Sequence, residues 1–231
     1  MKKKYLIIAS HPDDETLGCG ATIYSLRKKK NDVRVIFLGE GSTCRFNLNT
    51  NKEILSKAIA QRKKFCLKAL KTLKVKSYFF YDLPCGKFDQ IPMLNLSKIV
   101  EKEILNFKPN VILTHSATDV HIDHQRTFQA TLQATRPSSN NNVEQLLSFE
   151  ILSATEKNFV KEFLPNYFIQ IDQESLKRKL NAMKCYKTEI AKYPFSRSLE
   201  NIKNLAMYRG AQSGNYFAEA FKIIRLIKKI R

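Results

Sequence analysis

The strongest constraint on this chain is a regular change of hydrophobic period along its first half. Residues 5–9, 33–38, 77–81 and 111–114 are short apolar or aromatic runs that suit buried strands. Between them, 17–29, 53–73 and 93–107 read as helices, the second with apolar spacing at Ile54, Ala58, Ile59, Phe65, Ala69, Leu70 and Leu73. A further helix is expected over 124–135. Strands separated by helices form a parallel sheet covered on both faces, joined by right-handed crossovers. The predicted class is α/β, a three-layer sandwich with a mainly parallel sheet.

The second half is less regular. Residues 136–142 are polar and low in complexity, as in a loop. Weaker strand signals follow over 148–153 and 167–171, with a helix near 173–189. The tail, 217–230, mixes apolar and basic residues. It reads as a terminal strand or helix docked on the core, with a basic amphipathic segment on a membrane surface as the alternative. No internal repeat occurs. Residues 1–231 are expected to form a single domain, with an α/β core over 1–136 and a C-terminal elaboration over 143–231.

Composition narrows the class of molecule. A hydrophobic content of 43% is ordinary for a globular protein, which excludes disorder as the main description. No run reaches the roughly 18 apolar residues of a membrane span. The basic start, Met1-Lys2-Lys3-Lys4, is followed by too short an apolar stretch for an export signal, so a cytoplasmic location is expected. The five cysteines are scattered, with no C-x-x-C pair, and suggest reduced thiols. Against 21 acidic residues stand 40 basic ones, a net charge of +19. That field attracts anions: a phosphorylated substrate, an anionic membrane surface or nucleic acid. No zinc finger or RNA-binding sheet signature is present, so no specific nucleic-acid partner is expected. Solvated helix faces explain much of the charge, and the oligomeric state is open, a homo-oligomer being compatible.

All four histidines fall in two places. His11 follows the first strand, in His11-Pro12-Asp13-Asp14-Glu15. His115, His121 and His124 follow the fourth, with the last two in His121-Ile122-Asp123-His124. In an open parallel sheet, ligands bind beyond the carboxyl ends of the strands, so both groups map to one edge. Asp82 and Asp119 lie close by in sequence logic. Adjacent carboxylates cannot easily point the same way, so one of Asp13 and Asp14 can bind a metal while the other moves protons. Either also suits a helix cap. His121 and His124, three apart, share a face at the start of a helix. Imidazole and carboxylate donors together suit Zn²⁺, and Fe²⁺ fits the same set.

At these residues the sequence resembles the LmbE-like, or PIG-L, N-deacetylases. Ser10-His11-Pro12-Asp13-Asp14-Glu15 matches the family's A-H-P-D-D-E box, with Ser10 for alanine. His121-Ile122-Asp123-His124 matches its H-x-D-H box. Weaker matches are Gly39-Glu40-Gly41-Ser42 and the closing 209–221 stretch. The resemblance implies a Rossmann-like sandwich and a zinc hydrolase that removes acetate from an N-acetylglucosamine-type sugar; the positive charge would favour a nucleotide- or lipid-linked one. It implies His11, Asp14 and His124 as metal ligands and Asp13 as general base. His121 would be a second acid/base or oxyanion stabiliser, oriented by Asp123, and Arg62 a substrate contact. The chain departs from the family at Lys63-Lys64-Phe65, where a glutamate usually follows the arginine, and at Leu83-Pro84-Cys85-Gly86, where an aspartate usually stands at Cys85.

The chemistry fits those residue types. Amide hydrolysis needs an activated water, a polarised carbonyl, a base for the water's proton and an acid for the leaving amine. Rival readings are an amidase of the same family acting on a thiol-glucosamine conjugate or antibiotic amide, and a basic nucleic-acid-binding protein with a non-catalytic metal site. His115 is expected to be structural or to support the site, and Asp119 to brace the loop before the second box. Asn140–142 are expected to be plainly disordered, with a lid as the alternative.

Overall fold

The computed structural model describes residues 2–47, 49–137 and 143–228. Strand β1 (Lys4–Ala9) leads through helix α1 (Asp14–Lys28) to β2 (Asp32–Gly39), then α2 (Lys52–Thr72) and β3 (Ser77–Leu83). Helix α3 (Met93–Phe107), β4 (Val111–His115), α4 (Ile122–Ala134) and β5 (Gln145–Phe149) complete the alternating half. Then come β6 (Tyr167–Gln170), α5 (Gln173–Met183), α6 (Leu199–Gln212) and β7 (Ala218–Leu226). The seven strands form one sheet in the order β3-β2-β1-β4-β5-β7-β6. Strands β1 to β5 run parallel, and β7 lies antiparallel between β5 and β6.

The continuous apolar runs are explained by burial on both faces. Along β1, Ile7 and Ala9 pack with Leu17, Ile23, Phe65 and Leu70 of α1 and α2. Leu6 and Ile8 face the other way, onto Leu96, Val100 and Ile104 of α3 and Ala130 of α4. The predicted three-layer α/β class is the observed one. Over 218–226 the basic tail is strand β7, not an amphipathic helix.

Some boundaries differ from expectation. The strand placed over 148–153 is β5 and ends at Phe149, because the chain then turns so that Ile151 N–H donates to Thr155 Oγ1. The helix placed over 173–189 ends at Met183. Helix α6 is not expected from the sequence, since only Ile202, Ala206, Arg209 and Gly210 of it are buried while the apolar Met207 and Tyr208 are exposed, which blurs its period. Of the loop expected over 136–142, residues 138–142, including Asn140, Asn141 and Asn142, lie outside the described residues.

A buried ion pair joins the two halves. Helix α1 is kinked at Cys19, where φ is −152°. The kink strands backbone groups that need partners. Glu219 of β7 accepts from Ala21 N–H (3.2 Å) and Thr22 N–H (2.7 Å). Lys179 of α5 donates to Leu17 O (2.7 Å) and to Glu219 Oε1 (2.6 Å). The kink lets α1 approach the sheet closely: a Cβ on Gly18 would stand 2.4 Å from the Phe149 ring. Removing one partner of a buried pair leaves an uncompensated charge. Lys179→Met is therefore expected to cost about 3–5 kcal/mol of stability, read from denaturant unfolding. A loss within experimental error would show that the pair does not hold the kink.

Candidate active site

The carboxyl end of β1 lies between those of β2 and β4, and the connections leave in opposite directions, which opens a crevice at this switch point. Ser10 N–H donates to His115 Nε2 (2.9 Å), fixing the two strand ends side by side. Beyond them, His11, Asp13, Asp14, Arg62, His121 and His124 line one cavity of about 230 Å³. Both histidine clusters thus meet at one edge. Asp82 does not join them; it pairs with Lys63 at 2.6 Å.

Asp14 occupies the centre. Its Oδ2 accepts from His11 N–H (2.8 Å). The same oxygen lies 3.6 Å from His11 Nδ1, 3.5 Å from His124 Nε2 and 3.4 Å from His115 Nε2. Two further carboxylates orient the rings. Asp123 Oδ2 holds His11 Nε2 at 2.8 Å and is itself fixed by Gly86 N–H (2.6 Å) and, through Oδ1, by Phe88 N–H (3.0 Å). Asp119 Oδ2 stands 2.9 Å from His124 Nδ1 and is bound by Thr155 Oγ1, while Oδ1 takes His121 N–H. With those nitrogens engaged, His11 Nδ1 and His124 Nε2 are left facing Asp14.

This arrangement fits a metal ion. Ligands about 2.0–2.1 Å from a tetrahedral centre stand about 3.3 Å apart, close to the 3.5 and 3.6 Å found here. Histidine ligands commonly have a carboxylate on the far nitrogen, and both rings do. Among the described residues, His11, Asp14 and His124 form one of three donor groups tight enough for an ion. The group with His115 is less suitable, because His115 Nε2 already accepts from Ser10 N–H. The group with Cys85 is less suitable too, because Asp123 is committed to two backbone N–H groups and His11, and His121 Nδ1 already accepts from Asp123 N–H.

Electrostatics follow from burial and these pairs. Burial alone would lower the His124 pKa, but Asp14 and Asp119 overcome it and raise it to about 10. Burial would raise Asp14, yet His124 and His115 hold it well below the usual carboxylate range. Burial and the charge on His124 push His115 down to about 4. Burial, His124 and His11 do the same to His121, also to about 4. His121 is therefore neutral near pH 7, and its Nδ1 accepts from Asp123 N–H (3.1 Å), which leaves its proton on Nε2. The backbone of Asp123, not its carboxylate, orients His121; the carboxylate serves His11.

Asp13 sits outside this ring of histidines. It occupies the cap position of α1 but makes no capping bond, so the helix-cap reading fails for its side chain. Its φ of 127° is a strained value for a non-glycine residue, of the kind concentrated at functional sites. Its Oδ2 pairs with Arg62 Nη2 and Arg197 Nη1, both at 3.1 Å. Arg62, expected as a substrate contact, is buried, donates from Nε to Pro12 O (2.7 Å) and pairs with Glu189. Glu189 also pairs with Arg45 and Arg197. Sequence reasoning missed Glu189, Arg197 and Arg45, which come from an irregular segment and an exposed turn with no local signature.

A family model for GlcNAc-PI de-N-acetylase, PIG-L, matches residues 6–135. The chain belongs to the PIG-L family. It is 24% identical to the diacetylchitobiose deacetylase of Thermococcus kodakarensis, over 96% of this chain and 83% of that protein. It is 26% identical to a probable N-acetyl-α-D-glucosaminyl L-malate deacetylase of Bacillus subtilis, over 82% of this chain and 84% of the other. Among solved structures, N,N'-diacetylchitobiose deacetylase from Pyrococcus horikoshii superposes with a TM-score of 0.72 at 20% identity, over 96% of this chain and 84% of that one. The chain is thus a hydrolytic enzyme of the N-deacetylase type, with a His/Asp group able to hold a metal. Among the described residues, no helix is long and apolar enough to cross a membrane.

Two outcomes follow from the geometry. Asp119→Asn and Asp123→Asn should each weaken metal binding about 10–100-fold, measured by chelator competition; unchanged affinity would remove these carboxylates as orienting groups. Because His124 holds a proton in the metal-free protein, metal uptake should expel it, and affinity should fall as pH falls. Calorimetry in buffers of different ionisation enthalpy reads that proton. No proton released at pH 7 would contradict the assignment of His124.

Proposed function

We propose that this deacetylase is a zinc-dependent hydrolase that removes the acetyl group from an N-acetylglucosamine-type sugar. The observation that carries this is the division of labour between two adjacent aspartates. Asp14 lies among the histidines, whereas Asp13 faces the same cavity with no histidine bound to it. His11 Nδ1, Asp14 and His124 Nε2 would hold the ion, Zn²⁺ by its preference for this donor set, with Fe²⁺ fitting the same atoms. When bound, such a cation supplies Lewis acidity toward water and toward an amide carbonyl.

The chain's own groups account for the proton movements. The Asp13 carboxylate, held by Arg62 and Arg197, accepts a proton from the attacking water. It then delivers that proton to the leaving nitrogen, so that amide and water become amine and acetate. His121, with its proton on Nε2, donates a hydrogen bond to the oxygen on which negative charge develops. Neutral His121 does this as a donor, without carrying a charge. Arg62 positions the base rather than the sugar. Residues 1–231 are taken as one catalytic domain, because β6 and β7 extend the sheet that carries the site.

The partly exposed Arg45 and Arg197 line the cavity. With the net charge of +19, they favour a sugar carrying an anionic substituent such as phosphate. The test is acetate release from free, nucleotide-linked and lipid-linked N-acetylglucosamine, with metal content quantified. One class should yield acetate, and Asp13→Ala should keep one metal ion while losing about 10²–10⁴-fold in turnover. Full activity in that variant would remove Asp13 as the base. No acetate from any class by metal-loaded enzyme would reject the sugar reading.

A further inference from the structure

We propose that Cys44 and Cys85 form a reversible disulfide at the mouth of the catalytic cavity, made by exchange with a small-molecule disulfide such as oxidised glutathione. The inference does not depend on the deacetylase reading.

Both residues line the cavity, and both are free thiols in the structure. Their sulfurs are 2.7 Å apart although the residues are 41 positions apart in sequence. Their backbones are held in place independently of the thiols. The buried carboxylate of Glu40 accepts from Ser42 N–H (2.7 Å) and Thr43 N–H (3.1 Å) on one side and from Cys85 N–H (2.9 Å) on the other. A disulfide of about 2.05 Å therefore requires only a small side-chain movement. A shared metal is the poorer fit, since two thiolates about 2.3 Å from a tetrahedral ion stand about 3.8 Å apart.

Accessibility assigns the roles. Cys44 is exposed, on the turn Thr43–Arg45, and Cys85 is buried. The hydrogen bond from the Cys85 thiol lowers the Cys44 pKa to about 6, which supplies thiolate at neutral pH. Cys44 attacks one sulfur of the small disulfide, forming a mixed disulfide and expelling one thiolate. Cys85 then loses its proton, attacks the Cys44 sulfur and expels the second. Two protein thiols are oxidised and one small disulfide is reduced to two thiols. The new bond ties the Thr43–Arg45 turn to the segment whose next residue, Gly86, fixes Asp123 and through it His11.

The experiment equilibrates reduced full-length protein with glutathione buffers of graded ratio, blocks free thiols and maps peptides by mass. The expected result is a mass loss of about 2 Da on forming one disulfide, a Cys44–Cys85 linked peptide, reversal by dithiothreitol, and an unfolding midpoint about 5–10 °C higher in the oxidised form. Cys44→Ser should abolish the linked product. If all five thiols stay alkylatable at the most oxidising ratio, or if the linked peptide joins other cysteines, the proposal is overturned.

Discussion

The site depends on one buried carboxylate. Asp14 is 3% exposed, and its Oδ2 faces nitrogens of three histidines and the backbone N–H of His11. A carboxylate taken out of water requires compensation of that kind. Because the compensation comes from the backbone N–H of His11 after β1 and from His124 after β4, the two strand ends must be adjacent. That requirement fixes where the crossovers diverge. The ring of donors around one oxygen also explains why a proton on His124 can stand in for a cation.

Around that centre the support is carried by residues far away in the chain. Asp123 and Asp119 aim the histidines, and each is fixed by backbone N–H groups from a loop or a helix start. Arg62 from α2, Arg197 and Glu189 hold Asp13 in its strained backbone position. The C-terminal third thus contributes directly to the site, through Glu189 and Arg197, and braces α1 through Lys179 and Glu219. A site assembled this way keeps its base and its ligand set on separate networks, which allows one to move protons without disturbing the other.

Much of this was legible in the sequence because it rests on short-range pattern. The alternation of β1 to β5 with helices followed from period alone, and the meeting of the two histidine clusters at one edge from their place after strands; the choice of Asp14 over Asp13 among the ligands came from the family resemblance. What escaped had no local signal. The strand at β5 was placed late because Ile151 is buried and apolar yet belongs to a turn. Helix α6 carries apolar residues on more than one face, with Met207 and Tyr208 exposed, so its period is blurred. Glu189 looks like any acidic residue in a basic stretch, and only the fold brings it between three arginines. Asp123 serves two histidines, which sequence proximity does not reveal: its backbone orients His121, as expected of this residue, while its carboxylate reaches His11 across the crevice. The pairing of Cys44 with Cys85 is likewise a product of topology.

The claim at the centre of the account is that the histidine-ringed Asp14, and no cysteine, holds the metal. X-ray absorption on zinc-loaded protein tests it most directly. The account predicts one ion per chain surrounded only by nitrogen and oxygen at about 2.0–2.1 Å. A sulfur neighbour at about 2.3 Å would place the ion at the Cys85 group and contradict it.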